Sequence, residues 1–585
     1  MESTADTLNA EGTRLAERGE LVEAEAKYRE VLALDPKHAR AMNNLGNVLK
    51  RQGALDEAET HYRGAIELGG SARAKKNLVL LYLDRGKLRE IDALCAACEP
   101  SDAADLWQDI ATACELKQQT MRAGSAWLTA RELLPDRAEI SAGLSRTTVE
   151  LGFGPALRIL VPRANLITPY VLQEQGDWFE DEIHFVRRLL RAGDRAIDIG
   201  ANFGVFALSI AKAIGPEGRV LAVEPASTTY RFLAESAARN GFPQLTLVNR
   251  AVSEGPGQAT FFNANSPELS GLASAGTAGW TETVELTTLD ALGDQLEGKA
   301  TFLKLDAEGE EVRILAGGRR FFQQHEPLVM AELRHGQTIN EGLLDSLKGY
   351  GMSLYRLAPG PLVLEPLSPA DYDAPFLLNI FACVPRRAEL LREMGYLVAA
   401  GERKRHAPSA AAIERAEARQ ARASRGASPY PRFAEVVRTY FLSAEEPDAD
   451  QRLMGLRAAY EGALALPRSV ASKCLLARTA NDLGRRFQAN NAALDALAQL
   501  HSSQGGDAVV SPIASFDEEP IRTTAKDWAE AALLEFLLHR FAYSSIFDPP
   551  NMLDFAKKLA ALPHPSERAK KVLQLAGASP TGRDS

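Results

Sequence analysis

The chain has 585 residues, a formal net charge of −10, 45% apolar residues and 25% charged residues. This length exceeds what one hydrophobic core normally holds, so we expect about three domains. The composition excludes wholesale disorder, and the acidic balance excludes a protein that coats nucleic acid, because that task needs a basic surface. The sequence contains no apolar run of about 18 residues and no signal pattern, so we expect a cytoplasmic protein without a membrane span.

The first 140 residues contain a repeated pattern with a period of 34 residues. The recurring pairs are Gly12 and Gly46, Ala24 and Ala58, and Tyr28 and Tyr62. This pattern, with Pro36 closing the unit, resembles the tetratricopeptide repeat (TPR), and a later unit around Trp107 and Trp127 fits it as well. Stacked helix pairs form a curved solenoid. Residues 1–140 are therefore predicted to be an all-α solenoid that binds a partner protein or a second subunit; a rigid spacer is the alternative.

After a connector at 141–164, the pattern changes over residues 165–385. The apolar runs RAIDI, RVLAVEP and LTLVNRAV alternate with the helical stretches VFALSIAKAI and TYRFLAESAARNG. Such alternation predicts a parallel sheet with helices on both faces, a Rossmann-like α/β domain. Ligands of these sheets bind at the carboxyl ends of the strands.

The segment AIDIGANFGVF, residues 196–206, is the first candidate site. Gly200 and Gly204 allow a sharp backbone turn, and Asp198 ends the preceding strand. Glu224 ends the next strand, and an acid about 20 residues beyond such a loop is placed to accept ribose hydroxyls. The phosphate-binding GK[ST] and a third glycine are missing. A positively charged nucleoside without phosphate fits best, and S-adenosylmethionine has a ribose, a sulfonium and an ammonium group.

Further polar residues follow the later strands of the same domain. Arg250 and Ala251 follow the third strand, where an adenine edge would lie, and TFLKLDAEGEE (301–311) ends the fourth. Polar residues in an apolar strand are costly to bury without partners, which favours a site. A structural ion pair between Lys304 and a carboxylate is the alternative.

Seven separated segments resemble the FkbM family of S-adenosylmethionine-dependent methyltransferases. They are GDWFEDE (176–182), AIDIGANFGVFAL, VLAVEP, NRAV, TTLD (287–290), LKLDAEGEEVRILAG (303–317) and PLVMAEL (327–333), in the family's order. The segment 307–311 reads AEGEE where the family more often has VEGAE, and Glu311 keeps the final acid. The resemblance implies a class I methyltransferase fold and methyl transfer to a hydroxyl of a bacterial glycan or a secondary metabolite, with S-adenosyl-L-homocysteine as product.

A hydroxyl acceptor needs a general base or a metal that lowers its pKa. The predicted cofactor site comprises Asp198, Gly200, Ala201, Asn202, Phe203, Gly204, Glu224, Pro225, Arg250, Ala251 and Asp306. The predicted catalytic residues are Lys304, Asp306, Glu308, Glu332 and His335. His335 could act as base near neutral pH or lie in a surface loop. Asp306 and Glu308 could hold a divalent cation, since paired carboxylates suit hard ions.

Contacts to the acceptor are expected from two segments that flank the cleft. Glu180 and Glu182 are predicted on a helix before the first strand, where an exposed acidic helix start is the alternative. Ser270 and Ser274 belong to the Ser-, Gly- and Ala-rich segment 263–280, which is predicted to be a flexible loop over the cleft.

The last third of the chain is predicted to be helical. Residues 386–430 form a basic, Ala-rich segment that either attracts an acidic substrate or serves as a solvated linker. Residues 431–585 are predicted to form an all-α domain with weak resemblance to the N-terminal repeats and no catalytic constellation. We expect this domain to pack against the solenoid or a second subunit.

The sequence thus predicts an S-adenosylmethionine-dependent O-methyltransferase between helical assembly domains, working as a homo-oligomer on a glycan or small metabolite. Methylation of a protein presented by the repeats is one alternative. A non-catalytic scaffold with a degenerate methyltransferase domain is the other, although the intact set Asp198, Gly200, Asn202, Gly204, Glu224 and Asp306 opposes it.

Overall fold

The computed structural model describes residues 4–69, 72–264, 270–272, 279–335, 338–373, 376–398, 408–425, 431–502, 509–513, 524–562 and 566–578. Within these ranges the N-terminal part is all-helical, as predicted. Its helices are α1 (Thr4–Arg18), α2 (Leu21–Leu34), α3 (Ala39–Gln52), α4 (Leu55–Glu67), α5 (Ala72–Asp84), α6 (Leu88–Ala96), α7 (Pro100–Leu116), α8 (Thr120–Leu133) and α9 (Ala138–Thr147).

The repeated glycines and tyrosines mark the contact between paired helices. A Cβ atom at Gly12 would lie 2.9 Å from the Tyr28 ring, and one at Gly46 would lie 2.6 Å from the Tyr62 ring. Both rings are almost fully buried. The 34-residue pattern therefore arises because only a glycine leaves room for the aromatic ring of the following helix.

The predicted connector contains a β-hairpin made of β1 (Thr148–Phe153) and β2 (Leu157–Pro162). Its second strand contacts the central domain, because the Leu160 N–H donates to Ser236 Oγ at 3.0 Å. The segment at 141–164 thus joins the two domains through regular structure.

The central domain alternates strands and helices, as predicted. Its helices are α10 (Ile167–Gln175), α11 (Glu182–Leu189), α12 (Val205–Ile214), α13 (Ser227–Asn240), α14 (Leu289–Gly293), α15 (Glu311–Ala316), α16 (Arg319–His325), α17 (Glu341–Gly349) and α18 (Pro385–Glu393). Its strands are β3 (Arg195–Ile199), β4 (Arg219–Val223), β5 (Leu245–Val248), β6 (Ala251–Val252), β7 (Gly257–Ala264), β8 (Gly279–Thr287), β9 (Phe302–Leu305), β10 (Leu328–Glu332), β11 (Arg334–His335), β12 (Thr338–Ile339), β13 (Ser353–Ala358), β14 (Val363–Pro366) and β15 (Asn379–Cys383).

Eight of these strands form one sheet in the order β14-β13-β15-β10-β9-β3-β4-β5. The five strands from β10 to β5 are parallel, while β15, β13 and β14 continue the sheet in antiparallel fashion. In the register of β3 and β9, Asp198 lies opposite Lys304. The strand order reverses between β3 and β9, so the crevice at their carboxyl ends is where this fold binds ligands.

The C-terminal part is helical, as predicted. It comprises α19 (Ala410–Ala423), β16 (Ser424–Arg425), α20 (Pro431–Glu445), α21 (Ala449–Leu464), α22 (Val470–Asp482), α23 (Arg486–Ser502), β17 (Val509–Val510), α24 (Ala525–Arg540), α25 (Pro549–Ala560) and α26 (Glu567–Ala578). These helices share a second hydrophobic core that includes Phe441, Phe536 and Phe555 and continues onto Ala358 and Val363 of the central sheet. None of the helices in the described ranges is long and apolar enough to cross a bilayer.

Candidate active site

The loop between β3 and α12 turns sharply at the carboxyl end of the sheet. Gly200 has a φ of +78°, and a Cβ atom on it would lie 1.8 Å from the carbonyl oxygen of Asp306. No side chain fits at this point, because two backbone segments meet there. The glycine thus brings the loop after β3 against the segment after β9. Gly204 precedes α12 with a φ of +104°.

Glu224 holds the same loop from the end of β4. One of its carboxylate oxygens accepts the Asn202 N–H at 2.9 Å, and the other accepts the Ala226 N–H at 2.9 Å. Burial raises the pKa of Glu224 to about 7, although the two N–H groups oppose that shift. The carboxylate keeps further lone pairs for a ligand, since each oxygen can accept two hydrogen bonds.

A buried ion pair lies between β3 and β9. Lys304 Nζ is 2.7 Å from Asp306 Oδ2 and 3.8 Å from Asp198 Oδ1. Asp198 is fully buried, and neither of its oxygens has a conventional hydrogen-bond partner among the described residues. Burial raises the pKa of Asp198 to about 6, while the Lys304 ammonium opposes that shift. Burial by itself would lower the pKa of Lys304, but Asp306 and Asp198 hold it above its ordinary value, so Lys304 is a cation.

The predicted structural ion pair of Lys304 therefore exists, and its residues also line the pocket. The two interpretations that the sequence left open are compatible in this structure.

Beyond this pair, several carboxylates converge. One carboxylate oxygen from each of Asp306, Glu308 and Glu332 lies within 4.8 Å of the others. Burial, followed by the charges of Asp306, Glu308 and Glu180, raises the pKa of Glu332 to about 10. Burial likewise raises the pKa of Glu180 to about 7, and Asn379 Nδ2 donates to its Oε2 at 3.2 Å. The cluster has more carboxylates than nearby cations, so it holds protons unless a positive ligand compensates the charge.

One pocket of about 550 Å³ joins the glycine loop, Glu224 and this cluster. The predicted residues that line it are Asp198, Gly200, Ala201, Asn202, Phe203, Glu224, Pro225, Arg250, Ala251, Lys304, Asp306, Glu308, Glu332, Glu180 and Ser270. Its size is that of a small-molecule or cofactor site.

Four predicted residues are not among the lining residues given above. Gly204 directly precedes α12 and does not line the pocket, and Glu182 is the first residue of α11 and does not line it either. Glu180 precedes that helix, so the prediction of both acids on one helix is wrong. The helix starts later because side-chain contacts hold the preceding residues in an irregular path, with Arg187 bound to Asp177 and Arg540 bound to Asp181. His335 belongs to the two-residue strand β11, and its side chain lies outside the described part of the structure. Ser274 lies outside the described residues.

Sequence reasoning missed an aromatic part of the lining. Trp178 and Phe179 come from the segment before α11, and Tyr543 and Phe547 come from the C-terminal domain. The motif GDWFEDE contains the first two, but only its acidic residues are predicted as contacts. No local signal marks the other two, because roughly 340 residues separate them from the glycine loop in a chain of 585.

Two parts of the chain match known protein families. Residues 198–354 match the family model of the methyltransferase FkbM domain, and residues 9–73 match that of a tetratricopeptide repeat. The chain therefore contains an FkbM methyltransferase domain and TPR repeats, which confirms the resemblance seen in the sequence motifs. The matches support a methyltransferase that uses S-adenosylmethionine, and the repeats suggest protein interaction.

Among curated proteins, none matches the chain. Solved structures with similarity include a putative rRNA-methylase from Clostridium thermocellum, with 10% identity over 35% of this chain and 94% of that chain, and a TM-score of 0.24. A SAM-dependent O-methyltransferase from Thermotoga maritima has 15% identity over 41% of this chain and 93% of that chain, with a TM-score of 0.22. Trm5b from Pyrococcus abyssi has 12% identity over 46% of this chain and 69% of that chain, with a TM-score of 0.21.

Proposed function

We propose that this protein transfers a methyl group from S-adenosylmethionine to a hydroxyl of a glycan or small metabolite. The observation that supports this proposal is a pocket in which Glu224 and the glycine loop meet a cluster of buried carboxylates. A nucleoside-binding loop by itself would fit many ligands. The adjoining carboxylates add the proton-accepting groups that a hydroxyl acceptor requires.

The residues present fit S-adenosylmethionine. Glu224 would accept the ribose hydroxyls, the backbone from Gly200 to Asn202 would face the cofactor, and Arg250 and Ala251 would border the adenine. The buried carboxylate of Asp198, which has Lys304 as a cation at 3.8 Å, lies directly before the glycine loop and adds negative charge there, which suits a cationic ligand. When bound, the cofactor supplies an electrophilic methyl group on a sulfonium.

The chain's own task is to orient the acceptor and to remove its proton. Positioning of the two reactants can contribute roughly 7–11 kcal/mol. Glu180, with its pKa raised to about 7 by burial, is the group best matched to accept a hydroxyl proton near neutral pH. Lys304 holds Asp306 in place and offsets part of the negative charge. Glu332, with a pKa raised to about 10, stays protonated there and can donate a hydrogen bond.

A divalent cation is the second arrangement that the carboxylates allow. Asp306, Glu308 and Glu332 offer three oxygen ligands, which suit a hard cation such as Mg²⁺. A cation there would displace the proton of Glu332 and could lower the pKa of an acceptor hydroxyl. Dialysis against a chelator decides between the two: a metal-dependent enzyme loses methyl transfer and regains it with Mg²⁺ or Mn²⁺, while a Glu180-dependent enzyme keeps its rate.

The other parts of the chain complete this proposal. We assign the TPR repeats to residues 1–140, the connector to 141–164, the methyltransferase domain to 165–385, the linker to 386–430 and the helical domain to 431–585. We further propose that the protein is cytoplasmic and forms a homo-oligomer through its helical domains. Light scattering of the full chain would measure that state, and a monomer would contradict it.

Two measurements test the proposed function. In calorimetry, wild-type protein is expected to bind S-adenosylmethionine, and Glu224→Ala to bind it about 10- to 100-fold more weakly, because a charge-assisted hydrogen bond contributes about 1.5–3 kcal/mol. Glu297→Ala is the matched control, since Glu297 is exposed and outside the pocket. The absence of binding by the wild type would favour the scaffold alternative.

The second measurement follows labelled methyl groups into a cell extract that is afterwards separated into protein, glycan and small-molecule fractions. Label in the glycan or small-molecule fraction is the expected result. Label confined to protein would replace the proposal with methylation of a protein substrate.

A further inference from the structure

The pocket has an aromatic wall that two domains build together. It consists of Trp178 and Phe179 from the methyltransferase domain and Tyr543 and Phe547 from the C-terminal domain, and all four line the pocket. The ring centroids of Trp178 and Phe179 are 4.6 Å apart, and those of Phe179 and Tyr543 are 5.0 Å apart. Phe547 lies 5.7 Å from Phe179 and 6.0 Å from Tyr543. The interdomain aromatic wall is therefore one continuous apolar surface.

Phe547 combines two properties, because it is an exposed aromatic residue and it also lines the pocket. It is 45% exposed, whereas Phe536 is fully buried and Phe555 is 6% exposed. A large apolar side chain that is exposed inside a pocket remains available to pack against a ligand. Tyr543 also lines the pocket; its hydroxyl donates a 2.8 Å hydrogen bond to the Phe376 carbonyl, and the Arg486 guanidinium lies 4.3 Å from its ring centroid.

The wall borders the acidic end of the pocket. Phe179 directly precedes Glu180, the proposed proton acceptor, in the chain, and both residues line the pocket. Burial raises the pKa of Tyr543 above its ordinary value, the Arg486 cation opposes this, and the nearby Glu182 and Glu180 add to the increase. Gly200 and Glu224, which are proposed to hold the cofactor, directly follow β3 and β4. The wall thus belongs to the acceptor side.

Buried polar contacts hold the C-terminal half of the wall in place. Glu174 of α10 is 1% exposed and accepts hydrogen bonds from the Ser545 N–H at 3.0 Å, Ser544 Oγ at 3.0 Å and Arg568 Nη2 at 2.9 Å. Gln175 Nε2 donates to the Tyr543 carbonyl at 2.6 Å. A surface fixed by such buried contacts is preorganised, which lowers the entropic cost of binding.

The other half of the wall is held by the C-terminal domain in turn. Arg540 Nη1 donates to both carboxylate oxygens of Asp181, at 3.1 and 3.0 Å. Asp181 follows Glu180, so this contact fixes the segment that carries Phe179 and Glu180. Each domain therefore positions the other domain's contribution to the wall.

We propose that the C-terminal helical domain completes the acceptor end of the pocket, with Tyr543 and Phe547 as specificity-determining residues that pack against a cyclic acceptor with one apolar face. The acceptor's ring lies on the wall, and its hydroxyl points toward Glu180. This inference rests on the proposed methyl transfer, which it extends from the cofactor to the kind of acceptor.

The experiment uses full-length variants and the extract fraction that wild-type protein labels with S-adenosylmethionine. We expect Phe547→Ala to raise the half-saturating amount of that fraction about tenfold. The variant loses the apolar contact between the phenylalanine ring and the bound acceptor. The affinity for S-adenosylmethionine should stay within about twofold of wild type, because the cofactor contacts are elsewhere. Phe487→Ala is the matched control, since Phe487 is 56% exposed in the same domain but outside the pocket.

A second pair of variants separates the Tyr543 ring from its hydroxyl. Tyr543→Ala should resemble Phe547→Ala, while Tyr543→Phe should keep half-saturation near the wild-type value. Equal half-saturation in Phe547→Ala and Phe487→Ala would overturn this inference, as would a parallel loss of cofactor binding in Phe547→Ala. If wild-type protein labels no fraction at all, the proposed function fails and this inference falls with it.

Discussion

At the residue scale, Gly200 shows how one atom decides whether the site can form. A Cβ atom there would lie 1.8 Å from a backbone carbonyl oxygen, and the backbone could not move without separating the loop after β3 from the segment after β9. Gly193 has a similar positive φ of +85°, but nothing lies within 4 Å of its virtual Cβ. An alanine at Gly193 would therefore add only backbone strain, whereas an alanine at Gly200 would add both backbone strain and a steric clash.

We expect Gly200→Ala to abolish measurable S-adenosylmethionine binding and to destabilise the domain. Gly193→Ala should cost only about 1 kcal/mol, since it adds conformational strain without a clash. Thermal unfolding and calorimetry measure both variants. Normal cofactor affinity in Gly200→Ala would show that the close approach to Asp306 is not needed for binding.

Glu224 predicts a pH dependence of cofactor binding. Burial raises its pKa to about 7, so it is mainly protonated at pH 6 and mainly ionised at pH 8. The ionised form accepts ribose hydroxyls and attracts a cationic ligand, so affinity should rise with pH by about tenfold across this range. Calorimetry at several pH values measures the slope.

Glu224→Gln is the control for that slope. The variant should bind more weakly and lose most of the dependence, and what remains would report on Asp198 and Glu180, whose pKa values are raised to about 6 and about 7. An undiminished slope in the variant would assign the titration to other groups.

At the scale of elements, α10 connects the central and C-terminal domains through a buried ion pair. Its Glu174 carboxylate pairs with the Arg568 guanidinium, and both side chains are almost fully buried. Burial lowers the pKa of Arg568, while Glu174 opposes this, so the cation depends on its partner. Removing one member of such a pair leaves an uncompensated buried charge.

We therefore expect Glu174→Gln to destabilise the C-terminal domain by about 3–5 kcal/mol. Glu567→Gln, which alters an exposed pair with Lys570, should change stability by less than about 1 kcal/mol. Hydrogen exchange of α24, α25 and α26 across a denaturant series reports on this domain. Similar midpoints for the two variants would contradict the role of Glu174 as an anchor.

At the scale of the whole molecule, the TPR repeats pack on the methyltransferase domain. Arg231 of α13 lies 4.7 Å from the Trp107 ring centroid and pairs with Asp92 at 2.9 Å. Arg122 of α8 lies 4.7 Å from the Trp280 ring centroid. Part of the solenoid surface is thus used within the chain, and the remaining surface is what a partner protein or a second subunit could contact.

Arg231→Ala should weaken this docking by about 1–2 kcal/mol, because it removes a partly buried cation–π contact and an ion pair. Hydrogen exchange should increase in α6, α7 and α13 together. Arg29→Ala, which removes only pairs within the repeats, is the control. Exchange that stays at wild-type level in α13 would mean that the solenoid is docked by other contacts.

The sequence by itself determined the three-part architecture and most of the cofactor side of the pocket. Periodic spacing determined the repeats, because a glycine must face each tyrosine. The ends of parallel strands determined the positions of Asp198, Glu224 and Asp306, since a parallel sheet brings its carboxyl ends to one edge. Both patterns depend on residues that are close together in the sequence, so each can be recognised within a single segment.

Only the tertiary structure decided the acceptor side. Glu180 lies at the pocket and Glu182 does not because the irregular stretch before α11 sets their directions, and an arginine from α24 holds that stretch. Tyr543 and Phe547 line the pocket because a buried carboxylate on α10 fixes their segment. Packing between domains that are distant in sequence places these side chains, and no local pattern in the chain encodes such packing.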